Sequence, residues 1–409
     1  VFKVLVFCLR CVLHRALTSV STVSSVNLIW RVQSLALLLM MCLAGWAGVA
    51  QAQRSITLYG LLDVGFSLQR VQAGSDSAKF LNPGERQSEF GMASGQQSGS
   101  RWGIKGTEAL GSGLALHFVY ESAVTANTGQ SSGFTRQATL GLVDEGWGAI
   151  DLGRRISPGT EAFANIDPFD FSFGQSSLTS SMGATFIRFS NLVAYTSPNI
   201  GGLNLYAGWS SDTGLRHVNA GVSETAFGTS NKFRALSLGA RFARDQWLFA
   251  AMYDIYYPPS GARVDAVKQW NAGVTYDLKV ATLHAAYGQS IDGRLNGAGV
   301  LRGLETDGGD TNTNGAVVYR PGARTNQWML GVTVPTGAAA KVFASVQQAR
   351  PGGNYTADNR VNQTTLSVGY TYAFSLRTNV YAYYSYMTAP ELFKDAQSQG
   401  MGVGLRHAF

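Results

Sequence analysis

Histidine is the side chain most ready to exchange protons near neutral pH, and the histidines of this 409-residue chain are poorly placed for catalysis. His117 and His284 lie in alternating segments and project from a sheet face that is otherwise small or polar, while His217 falls in a Gly- and Ser-rich connection. A wall carrying Ser, His and Asp or Asn in array would make a hydrolase, the main enzymatic alternative, but no nucleophile motif lies near either histidine. Beyond position 52 there is neither His-x-x-x-His nor a close His/Asp/Glu cluster to hold a metal. Gly352-Gly353 and the other glycine pairs lack the strand, lysine and helix of a phosphate cradle. No catalytic residue, metal or cofactor is therefore expected.

The elements that carry these side chains are strands. Leu114, Leu116, Phe118 and Tyr120 point one way while Ala115, His117, Val119 and Glu121 point the other, and the same period of two recurs at 203–209, 236–242 and 366–374. It is clearest in the last nine residues: Met401, Val403, Leu405, His407 and Phe409 share one face, and Gly402, Gly404, Arg406 and Ala408 share the other. The apolar face is uncharged along whole strands and the second face is small or polar, which is the inside-out pattern of a membrane barrel. Aromatics near strand ends, such as Tyr256-Tyr257, Tyr372 and Phe374, suit interfacial girdles. Connections alternate between short ones, at 110–113, 144–148, 199–202, 245–246, 335–338 and 375–377, and long polar ones, at 71–97, 156–185, 212–230 and 291–324. Short connections read as periplasmic turns and long ones as extracellular loops. The spacing predicts an all-β chain of about 16 antiparallel strands.

The amino-terminal part reads as targeting. Arg31 precedes an apolar run from Leu35 to Leu43, and Ala50-Gln51-Ala52 offers a small-x-small cleavage pattern, placing cleavage after Ala52. The domain division is then 1–52, an N-terminal extension plus cleavable signal peptide, and 53–409, the barrel. All three cysteines, Cys8, Cys11 and Cys42, lie in the first part, so a disulfide scaffold and a thiolate metal site are excluded from the second. The first part also holds four of the 32 basic residues and none of the 25 acids, leaving 28 against 25. No basic run with interleaved aromatics remains to bind nucleic acid.

Ser55-Ile56-Thr57-Leu58-Tyr59-Gly60-Leu61-Leu62-Asp63 resembles the "SVTLYGxxD" first strand of the trimeric general porins of Gram-negative bacteria. In the same order, 100–111 resembles their "SRxGxKGxEDLG" hairpin, Arg136-Gln137-Ala138 with Gly141-Leu142 resembles "RQAxxGL", Leu152-Gly153-Arg154 resembles "LGR", and Asn191, Tyr195, Ser197 and Pro198 resemble "NxxxYxSP". The terminal strand resembles the segment that the barrel-assembly machinery reads, with Phe409, His407, Leu405 and Val403 as its signal. Ala109 replaces a frequent Asp, Ala194 replaces a frequent Arg, and the enteric "PEFGG" of the inward loop is absent.

The resemblance implies a 16-stranded transmembrane barrel of the outer membrane, a homotrimer in contact with lipid and lipopolysaccharide. It would pass ions and small hydrophilic solutes by passive diffusion. The third loop, 156–185, would fold into the lumen and set Asp167 and Asp170 against wall arginines Arg101, Arg136, Arg154 and Arg188, with Glu121 beside them. Strict alternation from Asp151 selects Arg155 rather than Arg154, and a bulge at Gly153 would reconcile the two. Four arginines against three carboxylates imply weak anion preference. The alternatives are a substrate-specific channel or a plugged barrel acting as adhesin or receptor.

Overall fold

Side chains that alternate between apolar and small or polar form two-faced strands, and in this chain the strands join into a closed wall. The computed structural model describes residues 54–74, 84–183, 187–218, 232–296, 316–357 and 359–409. The leader assigned to 1–52 lies outside the described residues. Nineteen strand segments make one sheet. Two of them, Gln130–Ser131 and Arg216–Val218, are loop pairings, and Arg86–Ser94 and Arg101–Gly111 are two halves of one wall strand, which leaves sixteen.

In chain order these are β1 (Arg54–Gln72), β2 (Arg86–Ser94 and Arg101–Gly111), β3 (Leu114–Thr125), β4 (Gln137–Asp144), β5 (Gly148–Ile156), β6 (Arg188–Thr196), β7 (Leu203–Ser210) and β8 (Arg234–Arg244). They continue as β9 (Trp247–Tyr257), β10 (Val267–Asp277), β11 (Thr282–Asn296), β12 (Ala316–Pro335), β13 (Ala340–Gly353), β14 (Gln363–Ala373), β15 (Thr378–Thr388) and β16 (Gln397–Ala408). Each pairs antiparallel with the next, and β1 pairs with β16 from Leu61↔Ala408 to Gln72↔Gln397. The expected 16-stranded antiparallel barrel is the observed fold.

Leu58, Phe66, Leu140, Leu330, Leu366 and Val403 are exposed on the outside, whereas Ser237, Asp254, Gln269, Ser290, Gln347 and Thr365 are buried within. A water-exposed surface would not carry so continuous an apolar belt. Inside, the wall departs from the expected small or polar face, because Met252, Met329 and Phe343 are buried there under a loop.

Connections also differ in detail. The long connection expected at 71–97 loses residues 71–72 to β1 and 86–94 to β2. That expected at 291–324 loses both ends to β11 and β12. A further short turn, at 278–281, is hidden in the sequence because Leu278 and Val280 disguise it. The Asp277 carboxylate accepts the Lys279 N–H at 2.7 Å while Lys279 takes φ of +68°.

Closure reaches the last residue. Gly60 N–H donates to the Phe409 carbonyl and Phe409 N–H donates to the Gly60 carbonyl, both at 3.0 Å. The Phe409 ring lies over Gly60 on the outer face, where a Cβ would stand 2.2 Å from Cζ. Gly60→Val should therefore displace the ring and reduce the yield of folded, heat-modifiable barrel on refolding into detergent. A yield equal to that of the parent chain would count against this packing.

Candidate functional site

The connection between β5 and β6, described over 157–183 and at 187, runs inside the barrel. It opens with α1 (Pro158–Phe163), whose N-cap Ser157 accepts the Thr160 N–H at 3.2 Å and whose first turn begins with proline. Its backbone is held by neutral side chains of β8, β10, β13 and β14. Gly159 N–H donates to Ser237 Oγ at 2.8 Å, Asn271 Nδ2 donates to the Gly183 carbonyl at 3.1 Å, and Gln347 Nε2 donates to the Ser176 carbonyl at 2.7 Å. Gln363 Nε2 donates to the Ser180 carbonyl at 2.6 Å. His284 donates from Nδ1 to the Ile166 carbonyl at 3.0 Å and accepts from Thr333 at 3.1 Å, so this histidine anchors the loop.

Close approach needs glycine on the wall. A Cβ on Gly239 would lie 2.5 Å from Ala162 Cβ, and one on Gly273 would lie 2.6 Å from Ile166 Cγ2. Around these contacts Phe163, Ile166, Leu178 and Met182 of the loop pack against Met252, Tyr256 and Met329 of the wall. The barrel thus contains a small apolar core of its own.

Asp167 belongs to this packing. Its carboxylate accepts the N–H groups of Phe169 at 3.0 Å, Phe171 at 3.1 Å and Leu178 at 2.8 Å, and the Ser177 hydroxyl at 3.3 Å. Burial pushes the carboxyl up to about 6 against the pull of these donors. Its folded value lies above the ordinary one, so the loop's pH-dependent stabilisation is complete below about 3.8 and is lost as pH rises through about 6. Asp170 is different: it is exposed, takes φ of +51°, and feels the charges of Lys341, His284 and Arg406.

The clustered arginines stand on β2, β5 and β6 and, for Arg136, just before β4. Glu121 on β3 accepts Arg136 Nε at 2.6 Å and the Tyr59 hydroxyl at 3.1 Å, and Arg101 Nη1 stands 3.8 Å from the same carboxylate. Arg188 is buried and lies within electrostatic reach of Arg136, Glu121, Arg154 and Arg101. Arg154 donates to the Thr135 carbonyl at 2.6 Å and to Ser190 Oγ at 2.8 Å. The ladder slips between Gly153 and Arg155, with Gly153 at φ of +128°. Through this bulge Arg155 pairs with Asp151, and with Glu161 of α1 at 2.5 Å. His117 Nε2 contacts the other oxygen of Asp151 at 2.5 Å.

The structure therefore brings Arg101, Glu121, Arg136, Arg154 and Arg188 into one cluster, sets Asp170 at the loop surface, and keeps Asp167 out of the set. Sequence reasoning missed Tyr59, Asp63, Glu161 and Lys341 as members of the lumen, while the strict alternation that selects Arg155 is matched by its inward pairing with Asp151 and Glu161. The parity that assigns Glu121 would have found Tyr59 and Asp63, and it puts Arg406 on the inward face. Among the described residues no group of three or more His, Cys, Asp or Glu is placed to hold a metal ion.

A sixteen-stranded barrel whose lumen holds an inward loop opposite clustered arginines is a familiar architecture, and comparison decides its family. The sequence model described as Gram-negative porin matches residues 36–391. The chain belongs to the Gram-negative porins. It is 36% identical over 385 residues to an outer membrane porin protein of Bordetella pertussis, covering 90% of this chain and 97% of that one. It is 27% identical over 393 residues to outer membrane porin protein 32 of Delftia acidovorans, covering 89% and 96%. Its fold matches the solved anion-selective porin from Comamonas acidovorans with a TM-score of 0.63 at 22% identity, over 87% of this chain and all of that one. The porin lies in the outer membrane and its lumen is a water-filled diffusion channel. Porins of this kind are channels, not enzymes.

Two outcomes follow for the loop. Gly239→Val overpacks the contact with α1 at a cost of about 1–3 kcal/mol, and should lift the loop off the wall, giving smaller and noisier single-channel steps. Asp167→Ala orphans several buried donors, each worth about 1–3 kcal/mol, and should raise open-channel noise at pH 4 and pH 7 alike. The parent channel should be quieter at pH 4 than at pH 7.

Proposed function

We propose that this porin is a trimeric general diffusion channel with weak anion preference, whose constriction is formed by Arg101, Glu121, Arg136, Arg154 and Arg188 facing Asp170 on the inward loop. The observation that carries this reading is the shared carboxylate. Glu121 is shared by Arg101 and Arg136 and lies within electrostatic reach of Arg188, so these guanidiniums outnumber the carboxylate they share and the cluster keeps excess positive charge where the lumen is narrowed. Positive groups on one wall and the exposed Asp170 on the other set a transverse field that orients dipolar solutes and favours anions. Asp167 strengthens that wall mechanically, by fixing the loop, rather than by offering charge to a solute.

Solutes enter between the long loops, cross the charged waist and leave at the short-turn end without energy coupling. The Comamonas porin is described as anion-selective, which agrees with the sign of the preference. Cleavage after Ala52, three-fold assembly, contact with lipopolysaccharide and recognition of Phe409, His407, Leu405 and Val403 by the assembly machinery complete the proposal. His117 and His284 serve the wall and the loop in it, and no catalytic step is assigned to either.

Planar-bilayer recording of the refolded 53–409 chain tests the reading. Steps in groups of three with an anion-favouring reversal potential in a potassium chloride gradient are expected. Arg136→Glu with Arg101→Glu should carry the anion-to-cation permeability ratio below one, and Glu121→Gln should raise it. A cation-selective parent channel would sink the proposed preference.

A further inference from the structure

Strand β2 is broken once, and the break is directed inward. Ser94 pairs with Val64 and Arg101 pairs with Leu61, so β1 supplies only Leu62 and Asp63 opposite the six residues from Gly95 to Ser100. The surplus cannot stay in the plane of the sheet. Gly95 turns with φ of +74° and its N–H donates to the Asp63 carbonyl at 2.9 Å. Ser100 Oγ brings the chain back, accepting the Asp63 N–H at 2.9 Å and donating to the Asp63 carbonyl at 3.1 Å.

The Asp63 side chain fixes what lies between. It is fully buried, and one oxygen accepts the N–H groups of Gln97 and Ser98, both at 2.7 Å, while the other accepts the Tyr381 hydroxyl at 2.5 Å. The projection reaches over β1 to inward side chains of the neighbouring strands β16 and β15. Asn379 Nδ2 donates to Gln97 Oε1 at 2.7 Å, Arg406 Nε donates to Ser98 Oγ at 3.2 Å, and the Tyr383 hydroxyl donates to Gln96 Oε1 at 3.1 Å. It also holds the inward loop, since Phe173 N–H donates to the Gln96 carbonyl at 2.6 Å. A Cβ on Gly99 would stand 2.8 Å from Arg136 Nη1.

We propose that the Gly95–Ser100 projection is a second constriction element that determines which solutes pass, selecting small carboxylates and similar compact anions. It sits between Arg136, beside Gly99, and Arg406, held by Ser98. The acid that builds it, Asp63, is turned inward on backbone N–H groups and Tyr381, so the half-exposed surface at Gln97, Ser98 and Gly99 offers amide and hydroxyl groups without negative charge. A compact anion passing the projection meets two guanidiniums separated by neutral hydrogen-bonding groups. The projection itself offers a cation no free carboxylate, and Glu121 beside it is engaged by Arg136 at 2.6 Å; a bulkier solute is stopped by a wall that cannot retreat, because its backbone is tied at both ends to β1. The inference deepens the proposed anion preference and rests on it.

Gly99 lies outside the left-handed region and accepts a side chain without backbone strain, which makes it the position to test. Recordings in potassium chloride and then potassium acetate gradients would compare the parent chain, Gly99→Asp and Gly99→Leu, each refolded as the full 53–409 barrel. Gly99→Asp should retain grouped steps while its chloride and acetate permeabilities relative to potassium fall severalfold. Gly99→Leu should lower conductance by about half through steric narrowing and reduce acetate flux more than chloride flux. Both variants conducting with parent steps and parent reversal potentials would overturn the second constriction while leaving the porin reading intact. A folded parent barrel without steps, or with cation preference, would overturn the anion reading and this inference with it.

Discussion

Every strand in this molecule depends on the pairing of β1 with β16. Hydrocarbon offers no partner to a backbone N–H or carbonyl, so a sheet can lie in it only if its two edges meet. Here they meet over twelve register pairs, from Leu61↔Ala408 to Gln72↔Gln397, and then through the reciprocal hydrogen bonds of Gly60 with Phe409. Once the edge is gone, burial reverses its usual sense. Leu140, Leu330 and Val403 turn outward, and Asp63, Asp254 and Gln269 turn inward. A closed barrel with polar contents then has to be filled or left open, and this chain does both, with a packed loop on one side and the charged cluster on the other.

Much of this can be read from the sequence because alternation is local. Leu114 to Glu121 and Met401 to Phe409 declare their faces without reference to any partner, and the parity conflict at Asp151 and Arg155 is enough to locate a bulge at Gly153. What cannot be read depends on partners distant in sequence. Met252, Met329 and Phe343 interrupt the polar inner face because Ile166, Phe169 and their neighbours lie against them. Asp167 looks like a displayed acid in a polar loop. Its spacing to Phe169 and Phe171 instead lets one carboxylate collect the N–H groups of its own turn. The Gly95–Ser100 projection is rich in Gly, Gln and Ser, a composition shared with any exposed loop, and only the register of β1 shows that it interrupts a wall strand.

Like charges held close together need a reason to stay. Arg101, Arg136, Arg154 and Arg188 repel one another, and the structure answers with Glu121 between two of them, with the Thr135 carbonyl and Ser190 for Arg154, and with the wall of β6 around Arg188. A single carboxylate limits the repulsion without cancelling the field. Arg155, one residue beyond the bulge, is instead neutralised by Asp151 and Glu161 and acts as a tie between wall and loop. Adjacent arginines thus serve opposite purposes, and Gly153 separates them.

The asymmetry of the lumen follows from how the loop is held. Its backbone carbonyls and N–H groups face the wall away from bulk water, and each needs a hydrogen-bonding partner there. Neutral amides and hydroxyls satisfy them at little desolvation cost, whereas an ion brought under the loop would lose its hydration without gaining a counterion. Ser237, Asn271, Gln347 and Gln363 accordingly occupy the wall strands behind the loop. The acid that does lie under α1, Asp254, is fully buried and accepts the Tyr256 hydroxyl at 3.0 Å, while Arg101, Glu121 and Arg136 are gathered at β2 to β4. Charge separation across the channel is therefore a consequence of satisfying an irregular segment inside a barrel, and the same requirement that closes the sheet also polarises the space within it.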